Sequence, residues 1–346
     1  MTALDARTVR HRFLLLRGLR WLPAGLFIPV LVLVMTERGF SLTTIGVALA
    51  AQGAVVLLLE LPTGGLADAL GRRPVLLGAT AVDLASVLVF LLWAETLPVL
   101  VGVWALQGVY RALESGPLDA WYVDAALAAD PDADIEAGLG QAGLVLGLAI
   151  AAGSIASSGI VALAPFPGID PLLGPLVVYV LVRVVELVLL AVLMVEVRPG
   201  RGWRDLARTA RTVPTVVADG LRVVRASRAL LELVAVELFW GFGMVTWENL
   251  MPPRLEQVVG SADAAAALLG PVSAAAWVGS AAAAGLAPVV ARRFGAGPTA
   301  AAMRIGQGAT VLVMGLAAGP VGVVVGYLAT YAIHGAANPV HQGMLH

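Results

Sequence analysis

The chain has 346 residues, of which 59% are hydrophobic and 13% charged, with a formal net charge of −1 and a mean hydropathy of +0.90. Those values exclude an ordinary soluble domain, which needs far more charge to cover its surface. All 22 basic residues are Arg, and the absence of cysteine excludes disulfides, thiolate metal sites and cysteine nucleophiles.

Apolar runs of about 20 residues recur along the chain, the length a helix needs to cross a bilayer of about 30 Å. Alternating segments of about 10 residues, expected of a membrane barrel, do not occur. The spacing predicts an all-α membrane protein with ten spans, at 14–36, 42–62, 75–93, 97–116, 138–163, 174–195, 229–251, 266–290, 299–318 and 320–341. The basic start, MTALDARTVRHRFLLL, has no small-residue cleavage site after it and reads as the head of a retained first span.

Arginines set the expected orientation. Arg7, Arg10 and Arg12 precede the first span, Arg72 and Arg73 follow the second, a basic series from Arg198 to Arg228 follows the sixth, and Arg292 and Arg293 follow the eighth. The other side holds only Arg38 and Arg254, so the positive-inside rule places the N-terminus and the even-numbered connections in the cytoplasm. The connection after the fourth span instead clusters Asp124, Asp130, Asp132, Asp134 and Glu136. The organisation expected is a six-span bundle at 1–198, a cytoplasmic linker at 199–228 and a bundle of about four spans at 229–346. Arginines at 198, 201, 204, 208 and 211 would give the linker one basic helical face for anionic headgroups, or else serve only to fix topology.

A shift of 220 residues sets Gly65-Leu66-Ala67 and Arg72-Arg73 on Gly285-Leu286-Ala287 and Arg292-Arg293. The second half thus reads as a degenerate copy of the first. The copy lacks counterparts of the fifth and sixth spans, so the chain reads either as truncated or as a ten-span variant.

The second and third spans are joined by Glu60-x-Pro62-Thr63-Gly64-Gly65-Leu66-Ala67-Asp68-x-x-Gly71-Arg72-Arg73, a short polar hinge. Its glycines suit tight turning and close helix approach, Asp68 suits a helix N-terminus, and the two arginines suit acids on neighbouring helix ends, Asp119 among them. The segment resembles the signature loop of the major facilitator superfamily of secondary transporters. It departs from that pattern at Ala69, where the family usually has a basic residue. The resemblance implies two pseudo-symmetric helical bundles, six spans plus four with the last two of twelve missing. It also implies that Gly64, Asp68, Gly71, Arg72, Arg73 and Asp119 act as a latch that holds the cytoplasmic side shut when the transporter opens outward.

Charged and aromatic residues inside the spans mark a candidate proton and substrate pathway, because ionisable groups in hydrocarbon line cavities or pair with each other. Asp83 lies near the middle of the third span, as a proton site or a hydrogen-bonding group between helices. Arg111 and Glu114, three apart, share a helix face; Glu114 either carries a proton or forms a structural pair. Arg183 and Glu186 in the sixth span have the same spacing, while Arg17 and Arg20 snorkel to headgroups or face inward. In the seventh span, Glu237, Phe239, Trp240 and Trp247 suit a cavity for amphipathic or cationic compounds, with Trp247 alternatively an interface anchor. The 220 shift sets Arg17 opposite Glu237 and Glu114 opposite His334, whose imidazole would titrate near physiological pH.

The Gly-Pro-x-x-Gly-Gly signature of drug/proton antiporters is absent from the fifth span, which is rich in Gly, Ala and Ser as close packing requires. No hydrolase, metalloprotease or phosphate-binding motif occurs, so no enzyme, cofactor or metal is expected. The expected activity is secondary transport by alternating access, proton-coupled efflux of a small amphipathic compound. Import of a metabolite and a non-transporting membrane role are the alternatives. Partners expected are the small-molecule substrate, protons and lipid, with no nucleic acid and a monomeric state, in a bacterial inner membrane.

Overall fold

The computed structural model describes residues 5–196, 215 and 217–343. The basic helical face expected at 198–211 lies outside the described residues. The elements are α1 (Ala6–Phe27), α2 (Leu31–Glu37), α3 (Leu42–Leu70), α4 (Arg72–Trp93), α5 (Leu97–Glu114), α6 (Pro117–Ala129), α7 (Ile135–Leu163), a 3₁₀ turn at Pro171–Leu173, α8 (Gly174–Leu193), α9 (Arg228–Val259), α10 (Ala262–Phe294), α11 (Ala296–Leu316) and α12 (Pro320–Gly343). No strand occurs among the described residues.

Among the described residues, eight helical segments, α1 and α2 taken together as one, are long and apolar enough to cross a membrane. The two remaining expected spans are α5 and α11, which carry Gln107, Arg111 and Glu114, and Arg304 and Gln307. The first expected span is broken at 28–30, around Pro29, into α1 and α2. The stretch after the fourth span, expected as a connection, is the helix α6, with Pro117 in its first turn. Caps fix several starts: Asp5 accepts the Thr8 amide at 2.5 Å, which holds its carboxyl below the usual range. Ser41 accepts the Thr44 amide at 3.1 Å and Ser261 the Ala264 amide at 3.2 Å.

The chain divides into two compact units, 1–24 with 35–149 and 176–219, and 25–34 with 150–175 and 220–346. The division does not follow a single cut near residue 198, because pieces of α1, α7 and α8 belong to the second unit. In the first unit, α3 and α4 pack along α5. Gly108 makes this possible, since a Cβ there would lie 2.8 Å from the Gln52 carbonyl oxygen. One end of this unit is a core of Val9, Phe13, Leu16, Leu76, Trp121, Tyr122, Leu190 and Met194, with Phe13 stacked on Tyr122 at 4.3 Å between centroids. In the second unit, α10 and α11 pack on α12. There Ser158 of α7 donates to the Ala266 carbonyl at 2.5 Å and accepts the Gly270 amide at 2.7 Å, two groups one turn apart on α10.

The hinge expected between Glu60 and Leu77 is almost all helix: α3 continues through Leu70, α4 begins at Arg72, and only Gly71 interrupts them. Gly71 has φ 96° and ψ 154°, and Gly295, between α10 and α11, has φ 86° and ψ 148°. This region is open essentially to glycine alone. The matching breaks set Gly71 on Gly295, 224 residues later, whereas the caps Ser41 and Ser261 stand 220 apart. The difference arises because α10 has 33 residues and α3 has 29, one additional turn. Arg292 and Arg293 therefore lie in the last turn of α10, while Arg72 and Arg73 open α4. Gly71→Ala and Gly295→Ala should each destabilise the fold by about 1–3 kcal/mol. Intrinsic tryptophan fluorescence during thermal unfolding in detergent checks this, with Gly53→Ala, at an uncrowded helical position, expected to leave the midpoint unchanged or higher.

Candidate transport site

At the Gly71 break, the chain builds a charged end to the first unit. The Glu196 carboxylate accepts the amides of Arg72 at 3.3 Å and Arg73 at 2.9 Å, so an anion sits at the N-terminus of α4 where the helix dipole favours it. The Arg72 guanidinium donates to the Ala120 carbonyl at 2.6 Å and pairs with Asp124, both on α6. Arg73 donates to the Ala191 carbonyl near the end of α8. Arg12 and Trp121 hold that same end through the Leu193 and Val195 carbonyls, each at 2.8 Å. Asp119, expected near Arg72 and Arg73, instead pairs with Arg17. Asp68 is exposed in the last turn of α3, not at the start of a helix. The backbone places Gly64 one turn before it. Sequence reading missed Glu196, and it counted Asp124 only within an acidic cluster.

Inside the first unit, four helices bring buried polar groups together. Asp83 of α4 is fully buried and pairs with the Arg183 guanidinium of α8 at 2.5 Å. It also accepts from Gln107 of α5 at 2.6 Å and from the Tyr179 hydroxyl at 2.8 and 2.9 Å. Arg183 reaches Glu186 at 2.5 Å and the Tyr110 hydroxyl at 2.9 Å. Beside this cluster, Arg20 of α1 pairs with Glu114 of α5 at 2.7 Å, and its two terminal nitrogens have no hydrogen-bond partner among the described residues. Sequence spacing had set Glu114 with Arg111. The structure gives Glu114 to another helix and lays the exposed Arg111 over Trp21, 5.9 Å from the ring centroid. The pair Arg183–Glu186 is found as the spacing suggested, and Asp83, isolated in the sequence, has three donor side chains around it, Arg183, Gln107 and Tyr179.

The second unit carries an aromatic cluster. Trp247, Tyr327 and Tyr331 pack edge to face or tilted with centroids 4.7–5.9 Å apart, and the Tyr331 hydroxyl donates to Glu248 at 3.3 Å. Trp247 is fully buried here, so it is not an interface anchor. Trp240 stacks on His334 at 4.9 Å and has the Arg304 guanidinium 4.0 Å from its centroid. Arg304 in turn pairs with Glu237 at 3.5 Å. Phe239 is exposed on α9, beside Trp240. The helix ends Ala94 and Ala317 stand 223 residues apart, a register that sets Arg111, not Glu114, on His334. Among the described residues, no group of three or more His, Asp or Glu side chains is arranged to hold a metal ion.

Comparison with known proteins places the chain in a family. The model of the Major Facilitator Superfamily matches residues 13–345. Among solved structures, the nucleoside transporter NupG is similar with a TM-score of 0.69 and 13% identity, over 96% of this chain and 80% of that one. A bacterial homologue of the human drug peptide transporters PepT1 and PepT2 gives 0.70 and 12%, over 99% and 83%. A bacterial homologue of the human lysosomal transporter Spinster, inward-facing and unoccupied, gives 0.65 and 17%, over 97% and 74%. No curated protein has a matching sequence. The chain is an all-α, multi-pass membrane transporter and belongs to the Major Facilitator Superfamily.

Proposed function

We propose that this transporter works by alternating access and exports a small amphipathic compound across a bacterial inner membrane, driven by protons, with its N-terminus in the cytoplasm. The arginine distribution supports the orientation. The observation that carries the coupling is the Arg20–Glu114 pair. In the buried network three acids, Asp83, Glu114 and Glu186, face two arginines, Arg20 and Arg183. Full ionisation would leave one excess negative charge in a medium that penalises it, and one bound proton balances the set.

Glu114 is the acid best suited to take that proton. Its side chain retains 10% exposure, against 0% for Asp83 and 1% for Glu186. Asp83 is held by Arg183, Gln107 and Tyr179, a set that serves the carboxylate and positions α4, α5 and α8. Glu186 is held by Arg183. A proton arriving from one aqueous face neutralises the Glu114 carboxylate and ends its ion pair with Arg20; release to the other face restores the pair. The aromatic groups Trp240 and His334 supply apolar faces for an amphipathic substrate, with Trp247 packed behind them.

In proteoliposomes, Glu114→Gln should abolish the dependence of substrate flux on a pH gradient while leaving substrate exchange within about threefold of the parent, since binding and conformational exchange do not require the proton. Gradient dependence that survives the substitution would remove Glu114 from the coupling step, and flux directed only inward would turn the reading into import. Arg183→Leu alone should lower stability by about 3–5 kcal/mol by leaving the buried carboxylates of Asp83 and Glu186 without their partner, whereas the triple variant Asp83→Leu, Arg183→Leu, Glu186→Leu should recover most of that loss. Thermal unfolding in detergent checks this set, and an equally unstable triple variant would show that the contacts to Gln107, Tyr179 and Tyr110 dominate.

A further inference from the structure

One acid inside the second unit has no cationic partner among the described residues. Glu248 lies within the apolar span Leu230–Val259 of α9, and its hydrogen bond comes from the Tyr331 hydroxyl of α12. Arginines of the surrounding helices are engaged elsewhere: Arg254 with the Ala317 carbonyl at 2.7 Å and Gln257 at 3.0 Å, and Arg304 with Glu237 and the Trp240 ring. Arg292 and Arg293 lie in the last turn of α10, roughly 22 Å along that helix from Trp277. His334 stacks on Trp240. Glu237, which the sequence sets among aromatics, is therefore the acid that has a counter-charge, and Glu248 is the one that lacks it. A carboxylate in that position is penalised by hydrocarbon unless a ligand or a pathway makes use of it.

Around Glu248 the helices α9, α10 and α12 gather four rings. Tyr331 is their hub: Trp247 meets it edge to face at 4.7 Å, Tyr327 at 4.8 Å and Trp277 of α10 at 5.8 Å between centroids. Trp247, Tyr327 and Tyr331 are 1–4% exposed and close the back of the cluster, whereas Glu248 and Trp277 are half-buried. Both of these border Tyr331, so a small amphipathic molecule spans the two. The repeat does not demand these groups. At the register of 220 Glu248 corresponds to Ile28, and at 223 Tyr331 corresponds to Gly108. The first half of the repeat is built without an acid or a phenol at those positions, so the shared architecture gives Glu248 no structural duty.

We propose that Glu248, Tyr331 and Trp277 form the binding site of an organic cation, an amine or a quaternary ammonium. The carboxylate supplies the counter-charge, and the electron-rich ring faces hold the alkyl groups around the cation. Tyr331 orients the carboxylate by donating to one oxygen and leaves the other to the ligand. An anion is repelled by the same carboxylate, and a neutral molecule leaves it unpaired. Taken as substrate, such a cation makes the exported amphipathic compound a cationic one; that step rests on the export proposed for this chain, and binding itself does not.

Binding of benzyltrimethylammonium to the protein in phosphatidylcholine nanodiscs, measured by equilibrium dialysis in mildly alkaline buffer, tests the site without reading flux or a gradient. Expected is saturable binding that weakens about tenfold or more in Glu248→Gln, the scale of a contact to a charged group, and about threefold in Trp277→Leu. Glu232→Gln, which alters an exposed acid paired with Arg228, should leave the affinity unchanged. Neopentylbenzene, of the same shape without the charge, should bind far more weakly. Without ligand, Glu248→Gln should unfold at a higher temperature than the parent, because it removes a lone charge, and the cation should raise the midpoint of the parent alone. Equal affinity in the parent and Glu248→Gln, or a neutral isostere that binds as tightly as the cation, would overturn the proposal. So would a midpoint that neither the substitution nor the cation moves, the behaviour of a neutral structural acid. Loss of gradient-driven export with cation binding intact would overturn the export and leave the site standing.

Discussion

A charge inside hydrocarbon must find its partner on another helix, and the first unit is arranged around that requirement. Asp83 and Arg183 lie 100 positions apart in the chain and are nearly inaccessible to solvent. Their pairing ties α4 to α8, and Gln107 and Tyr179 bring α5 and a second point of α8 onto the same carboxylate. Apolar side chains alone do not select one arrangement in lipid, since the tails surrounding the bundle are as apolar as leucine. The buried polar set supplies the registry between these helices, and the Arg20–Glu114 pair at its edge adds α1 to the assembly.

Helix ends follow a second constraint. Where α4 starts, the first amides have no acceptor within the helix, and Glu196 from beyond the end of α8 supplies one. Arg72 and Arg73, which open the same helix, then reach sideways to α6 and α8. The three helices are joined through a single turn of backbone, which is why the segment around Gly71 organises this end of the unit.

The all-helical membrane fold, most span positions and the family were legible in the sequence, because apolar run length and the Gly64–Arg73 spacing are local properties. So was the Arg183–Glu186 pair, three residues apart on one helix. Glu114 was misassigned for the same reason: its near neighbour in sequence, Arg111, is exposed, and its partner Arg20 comes from a helix almost a hundred residues earlier. Glu196 and Asp124 carried no signal of their own, since each acts on backbone or side chains of distant elements. The repeat was detectable, but its register near the arginines was not. Matching letters at 285–293 hid one additional turn in α10, which only the two glycine breaks disclose.

The contact made by Ser158 has a further property. Its hydroxyl stands between the Ala266 carbonyl and the Gly270 amide, two groups that are each other's natural partners across one turn of α10. If α7 withdraws, these groups can bond to each other, and the serine hydroxyl can turn back to the carbonyl one turn earlier on its own helix. Neither helix is left with an orphaned donor or acceptor. A seam built this way holds while closed and parts without a desolvation penalty, a combination that a salt bridge at the same place would not allow.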